Sequence, residues 1–120
     1  MLINLSNHPS VHWSEEQKKA SKIFGGLLDI PFPQVDAKAD EIYISKLADE
    51  YFQKILVISK EEDIVVHLMG ELTFTFALLK RLQKFGIRCI ASTSKRLVQE
   101  ESPGRKSEVI FQFERFREYI

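Results

Sequence analysis

Three short polar segments carry the side chains of this sequence that are best suited to chemistry. The first offers neutral hydrogen-bonding groups, the second a glycine followed by free helix N–H groups, and the third hydroxyls beside two cations. These residues are, in order, Ser6, Asn7 and Ser10; Gly70 with Glu71; and Ser92, Thr93, Ser94, Lys95 and Arg96. Because phosphates are bound by such groups, the pattern predicts an anion-binding site built from loops.

The histidines fall into two groups. His8 and His12 directly follow the first predicted strand, and an imidazole can transfer a proton near neutral pH. His67 lies within an apolar run, which is more typical of a core histidine with satisfied hydrogen bonds. Pro9 argues against a helical pair of metal ligands at His8 and His12. We therefore predict neither a metal site nor a cofactor.

Apolar patterning predicts strands that alternate with helices. Short apolar runs predict strands near residues 2–6, 27–30, 64–69, 87–90 and 109–113. Helical spacing predicts helices that begin after Ser14 and Asp40 and a third over residues 72–85, which Gly86 ends. Beyond Ile55 the helical spacing breaks down, and residues 56–58 favour extended structure. The strand near residue 87 is expected to end at residues 92–94, and a Pro-Gly loop near residues 101–104 precedes the last strand.

This alternation predicts one α/β domain over residues 1–120. Its architecture is expected to be a Rossmann-like three-layer domain with a mainly parallel sheet and a C-terminal edge strand. Ligands of such sheets bind at the carboxyl ends of the strands, where the strand order reverses. Those ends are residues 6–10, 69–73 and 92–96, so the three polar segments are expected to meet.

Composition excludes several classes of function. The 120 residues hold 17 Lys and Arg against 17 Asp and Glu, so no overall field attracts duplex nucleic acid or an anionic membrane. No apolar run is long enough for a membrane span, and the single Cys89 cannot form an intramolecular disulfide. These features favour the cytoplasm. Neither the dinucleotide-binding glycine motif nor the P-loop motif is present.

The same residues also fit roles in folding. Asn7, Ser10 and Ser14 precede a helix and can cap it, and Glu71 is favoured in a first helical turn by the helix dipole. Lys95 and Arg96 can be solvated surface charge. The aromatic residues near the C-terminus are explained most economically as packing; they are Phe111, Phe113, Phe116 and Tyr119.

Three motifs resemble a known family. They are NLSNHPS at residues 4–10, HLMGELTF at residues 67–74 and CIASTSKR at residues 89–96. Together they are similar to the small single-domain CRISPR-associated proteins with a CARF-like (CRISPR-associated Rossmann fold) domain. The resemblance implies a homodimer that binds a cyclic oligoadenylate messenger, and some members, the ring nucleases, cleave it without metal. It implies ligand contacts at Ser6, Asn7 and His8; Gly70, Glu71 and Thr73; and Thr93, Lys95 and Arg96.

No effector domain accompanies these motifs, which leaves messenger degradation or simple binding. In degradation, a ribose 2′-hydroxyl attacks the adjacent phosphate, so the protein mainly orients the groups and stabilises charge. Lys95 or Arg96 would stabilise the phosphorane charge, and His8 or His12 would transfer a proton. Two alternatives stay open: a non-catalytic nucleotide-sensing subunit and a domain whose sheet end contacts a protein partner.

Overall fold

The fold is built on one five-stranded sheet. The computed structural model describes residues 1–99, 104 and 108–120. Its strands are β1 (Leu2–Ser6), β2 (Leu27–Asp29), β3 (Val65–Met69), β4 (Arg88–Gln99) and β5 (Glu108–Glu118), in the spatial order β2-β1-β3-β4-β5. The first four strands are parallel and β5 is antiparallel to β4. The α/β class, the mainly parallel sheet and the C-terminal edge strand are therefore confirmed.

Three α-helices connect the strands. They are α1 (Glu15–Ser21), α2 (Glu41–Ser59) and α3 (Leu72–Phe85), with 3₁₀ turns at Ser10–His12 and Lys22–Phe24. The predicted cap of α1 is present, because Ser14 accepts a hydrogen bond from the Gln17 backbone N–H. Gly86 ends α3 in the left-handed region, as expected. Within the described residues, no helix is both long and apolar enough to cross a membrane.

The prediction of extended structure after Ile55 was wrong. Helix α2 continues to Ser59 without a break. Leu56 and Ile58 are partly buried against the same apolar cluster as Ile55, whereas Val57 is exposed. A wide buried face on one side of the helix therefore explains why several apolar residues occur in succession.

The two faces of the sheet bury different side chains. Alternation along the strands places Ile3, Leu5, Val66 and Leu68 in a large apolar cluster with residues of α2 and α3. The opposite face contributes a smaller cluster, in which Leu2, Trp13 and Ile90 are joined by Phe24, Val65 and Phe116. The same face also carries buried polar side chains, which lie near the carboxyl ends of the strands.

Strand β4 is longer than predicted. Only its first residues, Arg88 to Ile90, pair with β3, and the remainder pairs with β5 alone. Residues 92–96 are therefore part of a two-stranded ribbon, and the prediction that they form a loop was wrong. The backbone of β5 supplies hydrogen bonds that a loop would lack. Of the predicted loop after β4, Gly104 lies in a turn, and residues 101–103 lie outside the described residues.

Candidate functional site

A pocket of about 410 Å³ opens at the carboxyl ends of β1, β3 and β4. This is where the chain order reverses, because β1 lies between β2 on one side and β3 on the other. The predicted site residues that line the pocket are Ser6, Asn7, His8, His12, Ser92, Thr93 and Ser94. Further lining comes from Ser14, Gln17, His67, Met69, Phe111 and Phe113. The first and third polar segments are therefore brought together.

Two exposed imidazoles face each other across a short distance at this pocket. Strand β1 ends at Ser6, and a 3₁₀ turn after Pro9 returns the chain, so that the ring centroids of His8 and His12 lie 6.4 Å apart. Within the part of the chain that the structure describes, no three His, Cys, Asp or Glu side chains form a metal-binding group. The pair can exchange protons with a ligand in the pocket.

The second polar segment lies outside this pocket. The Glu71 carboxylate caps α3 and accepts hydrogen bonds from the backbone N–H groups of Phe74 at 2.8 Å and Thr73 at 3.1 Å. The bond from Phe74 and the hydroxyl of Thr73 lower the pKa of Glu71. A Cβ added at Gly70 would collide with the Phe32 ring, so packing already requires this glycine. The predicted ligand contacts at Gly70, Glu71 and Thr73 thus have roles in folding.

Ser10 and the two cations also lie outside the lining of the pocket. The Ser10 hydroxyl donates to Asp29 Oδ2 at 2.5 Å, and its backbone N–H donates to Asp29 Oδ1 at 3.2 Å. Lys95 and Arg96 are exposed on the β4–β5 ribbon. Their register separates them: Arg96 pairs with Phe111, which lines the pocket, whereas Lys95 pairs with Gln112 on the opposite side of the ribbon.

A row of hydrogen bonds crosses the sheet beneath the pocket. Asp29, Asn4 and His67 are register partners on β2, β1 and β3. Asn4 Nδ2 donates to Asp29 Oδ1 at 2.7 Å and to the carbonyl of His8 at 3.1 Å. Partial burial raises the pKa of Asp29, but the hydrogen bonds from Ser10 and Asn4 outweigh this effect and hold the pKa below its ordinary value. An ionised carboxylate therefore faces the amide nitrogen of Asn4.

The hydrogen bond between Asn4 and Asp29 determines which atoms of His67 and Ser92 carry a proton. Since the nitrogen of Asn4 faces Asp29, its oxygen must face His67, and His67 Nδ1 lies 2.9 Å from that oxygen. Nδ1 therefore carries the proton, and in the neutral ring Nε2 is an acceptor. Ser92 Oγ lies 2.6 Å from Nε2 and donates to it, while Gln17 Nε2 donates to the same hydroxyl oxygen at 2.9 Å.

The His67 ring packs against two aromatic rings that also contact each other. Its centroid lies 5.3 Å from that of Trp13 and 5.5 Å from that of Phe116, and both pairs are T-shaped. Burial, with a smaller contribution from the charge of His8, lowers the pKa of His67 to about 4. The ring is therefore neutral at physiological pH, in agreement with its hydrogen bonds. The prediction of a buried, satisfied histidine is confirmed, but this histidine also lines the pocket.

The sequence patterns did not predict this row as a unit. Asn4, Asp29 and Gln17 were not singled out and His67 was assigned to the core, whereas Ser92 was among the predicted site residues. One signal was available: Asn4 and His67 are single polar residues inside otherwise apolar strands, and a buried polar side chain requires a partner. That Ser92 is the partner of His67 depends on the register of β3 and β4, which short apolar runs do not specify.

Folding stability should depend on pH through His67. Its pKa in the fold, about 4, is below the ordinary histidine value of 6.5, so the unfolded chain binds the proton more tightly. The free energy of unfolding is therefore highest above pH 6.5 and decreases toward pH 4, by about 3 kcal/mol in total. Urea titrations at a series of pH values measure this slope. Asp29 and Glu71, whose pKa values are also lowered, lose their contributions at lower pH.

Two variants isolate the contribution of His67. His67→Gln should flatten the slope between pH 6.5 and 4, because the titrating ring is gone. The control variant His12→Gln keeps the buried His67 and should therefore keep the contribution of His67 to the slope. An equal free energy of unfolding at pH 7 and pH 5 in the unsubstituted protein would contradict the lowered pKa.

Comparison with known proteins places the chain in one family. No curated protein and no solved structure matches the chain. A family model with the description "Uncharacterized protein MJ1673 family" matches residues 1–117, which is nearly the whole sequence. The chain therefore belongs to the MJ1673 family.

Proposed function

We propose that the pocket binds a cyclic oligoadenylate messenger and opens it by metal-independent attack of a ribose 2′-hydroxyl. The observation that carries the proposal is the pair His8 and His12, 6.4 Å apart in one pocket at the carboxyl ends of parallel strands. An attacking hydroxyl and a leaving oxygen each exchange a proton, and paired imidazoles suit such a reaction. The protein would act in the cytoplasm as a ring nuclease of CRISPR antiviral defence.

The surroundings of the pocket suit a nucleotide. Phe111 and Phe113 line it, and Phe111 is 68% exposed, so that an adenine could stack on its ring. No carboxylate lines the pocket among the described residues, which favours an anionic ligand. The helices α2 and α3 on one face of the sheet and α1 on the other fit a Rossmann-like three-layer domain, whose ligands bind at this edge.

In the proposed reaction, His8 donates a proton to the leaving 5′-oxygen. Its position beside His12, after the end of β1, leaves its ring exposed to the pocket and to solvent. Arg96 would place its guanidinium near the phosphate from the rim, because it lies on the same side of the ribbon as Phe111 and Phe113. Both groups stabilise charge that develops on phosphate and leaving oxygen.

Substitution of His8 should distinguish a role in cleavage from a role in ligand binding. His8→Ala should lower the single-turnover cleavage rate by about a hundredfold and leave the Kd nearly unchanged, because a proton-transfer group acts mainly in the transition state. Chromatography of the products in the presence of a chelator measures the rate, and calorimetry measures the Kd. A reaction abolished by the chelator would reject the mechanism, and an unchanged rate in His8→Ala would remove His8 from it. Tight binding without cleavage would favour the non-catalytic sensor.

Substitution of Arg96 and of Lys95, two neighbouring cations on opposite sides of the ribbon, tests whether Arg96 contacts the bound phosphate. Arg96→Ala should weaken binding by about 1.5 to 3 kcal/mol if its guanidinium contacts phosphate. Lys95→Ala removes the same charge from the opposite side of the ribbon, and we expect an effect below about 1 kcal/mol. Calorimetry on both variants makes the comparison. Equal effects of the two substitutions would mean that only general charge attraction is involved.

We further propose that the protein is a homodimer in which the β4–β5 ribbon contacts a second copy. Among the residues that the structure describes, no other strand lies beside the ribbon beyond Ile90, and such a ribbon alone is marginally stable. It exposes apolar side chains, with Val98 58% and Val109 42% accessible. A two-fold dimer also suits a symmetric cyclic ligand.

Light scattering tests the dimer directly. The protein should have the mass of a dimer, and Val98→Asp should shift it toward the monomer, because the charge would be buried at the contact. The exposed Val57 of α2 offers a control, and Val57→Asp should leave the mass unchanged. A monomer both alone and with saturating cyclic oligoadenylate would contradict the proposal.

A further inference from the structure

The function proposed above leaves the buried row of hydrogen bonds without a part in the chemistry. This row ends at the Ser92 hydroxyl, which lines the same pocket as His8 and His12. The hydroxyl donates its proton to His67 Nε2 at 2.6 Å and accepts a hydrogen bond from Gln17 Nε2 at 2.9 Å. Its orientation is thus determined from two sides, and one lone pair of its oxygen stays available to a ligand.

We propose that Ser92 and His67 form the proton acceptor of this pocket. The Ser92 oxygen takes the proton of an attacking ribose 2′-hydroxyl while its own proton passes to His67 Nε2. This inference rests on the proposed function for the identity of the substrate, a ribonucleotide phosphodiester. It adds a Ser–His–Asn relay, with Asn4 as its third member, to the histidines at the mouth of the pocket.

The step balances with the groups that are present. A bond forms between the 2′-oxygen and phosphorus, and the bond between phosphorus and the 5′-oxygen breaks. The 2′-hydroxyl proton moves to Ser92, the Ser92 proton moves to His67, and the leaving 5′-oxygen takes a proton from His8. The products are a 2′,3′-cyclic phosphate and a 5′-hydroxyl. Exchange with solvent then returns His67 to its neutral form and His8 to its protonated form.

The hydrogen bonds of His67 make Nε2 the acceptor of its ring. Burial lowers the pKa of His67 to about 4, so Nε2 is unprotonated at neutral pH, and the same burial makes the ring a weaker base than a free imidazole. When Nε2 takes a proton, the imidazolium keeps its bond from Nδ1 to Asn4 Oδ1, and Asn4 is in turn bonded to the Asp29 carboxylate. Trp13 and Phe116 both pack against the ring and also against each other, with their centroids 5.9 Å apart. The relay is therefore oriented before a ligand arrives.

Placement distinguishes this relay from a histidine that is merely satisfied in the core. A structural histidine needs partners for its two nitrogens, and any buried groups would serve. Here His67 Nδ1 bonds to a buried amide, whereas Nε2 bonds to a half-buried hydroxyl at the pocket wall. The side of the ring that can accept a proton is the side connected to the pocket.

Substitution of Ser92 tests the relay in single-turnover cleavage of a cyclic oligoadenylate. Ser92→Ala should be about a hundredfold slower at saturating ligand with a Kd within about threefold of the unsubstituted protein. Ser92→Thr keeps a hydroxyl and should recover at least about tenfold of the rate. Ser21→Ala is the matched control, because it removes another bonded, buried hydroxyl, on α1 and away from the pocket. An unchanged rate in Ser92→Ala, or an equal loss in Ser21→Ala, would overturn the inference.

A second probe separates failure of the relay from failure of the proposed function. Diisopropyl fluorophosphate should label Ser92 and not the other serines: the Ser92 oxygen bonds to phosphorus, His67 takes the proton and fluoride leaves. His67→Gln should abolish the labelling, which mass spectrometry detects. If the protein cleaves no cyclic oligoadenylate but Ser92 is labelled, the proposed reaction fails and the relay stands. If it cleaves none and Ser92 is not labelled, the relay is overturned as well.

Discussion

The hydrogen bond between the Asp29 carboxylate and the amide of Asn4 determines the proton positions of the whole polar row. Because an ionised carboxylate accepts only, Asn4 turns its nitrogen toward Asp29 and its oxygen toward His67. The proton of His67 must then lie on Nδ1, and Ser92 donates to the free Nε2. Asp29, Asn4 and His67 are direct neighbours on β2, β1 and β3. The parallel register of the sheet therefore determines which side chains meet, and through them the positions of the protons in the site.

The two faces of the sheet have different roles: one provides the apolar core that stabilises the fold, and the other carries the polar side chains of the candidate site. One face is apolar and packs against α2 and α3, where burial of Ile3, Leu5 and Val66 drives folding. The other face carries polar groups that are costly to bury unless each has a partner. The row from Asp29 to Ser92 gives them partners, and the exposed imidazoles lie above it. The pocket thus has a hydrogen-bonded floor and a solvent-accessible mouth, and we propose that this arrangement transfers protons to and from a bound phosphodiester.

Local signals predicted much of this fold, and pairing between distant segments accounts for what they missed. The end of β1 at Ser6 and the cap of α1 at Ser14 follow from residues within a few positions of each other, and both were confirmed. Residues 92–96 extend as a strand because β5, far along the chain, pairs with them. The contact between His67 and Ser92 likewise spans 25 positions and depends on register. Gly70 was expected to admit a ligand, but Phe32 from a distant loop occupies that space.

The protonation state of His67 is the most direct test of this account. Nitrogen chemical shifts of a ¹⁵N-labelled sample at pH 7 distinguish a protonated from a bare ring nitrogen. We expect a neutral ring with the proton on Nδ1 and none on Nε2, and we expect this tautomer to be lost in Asp29→Asn, where the charge that orients Asn4 is gone. A proton on Nε2, or an imidazolium at pH 7, would contradict it.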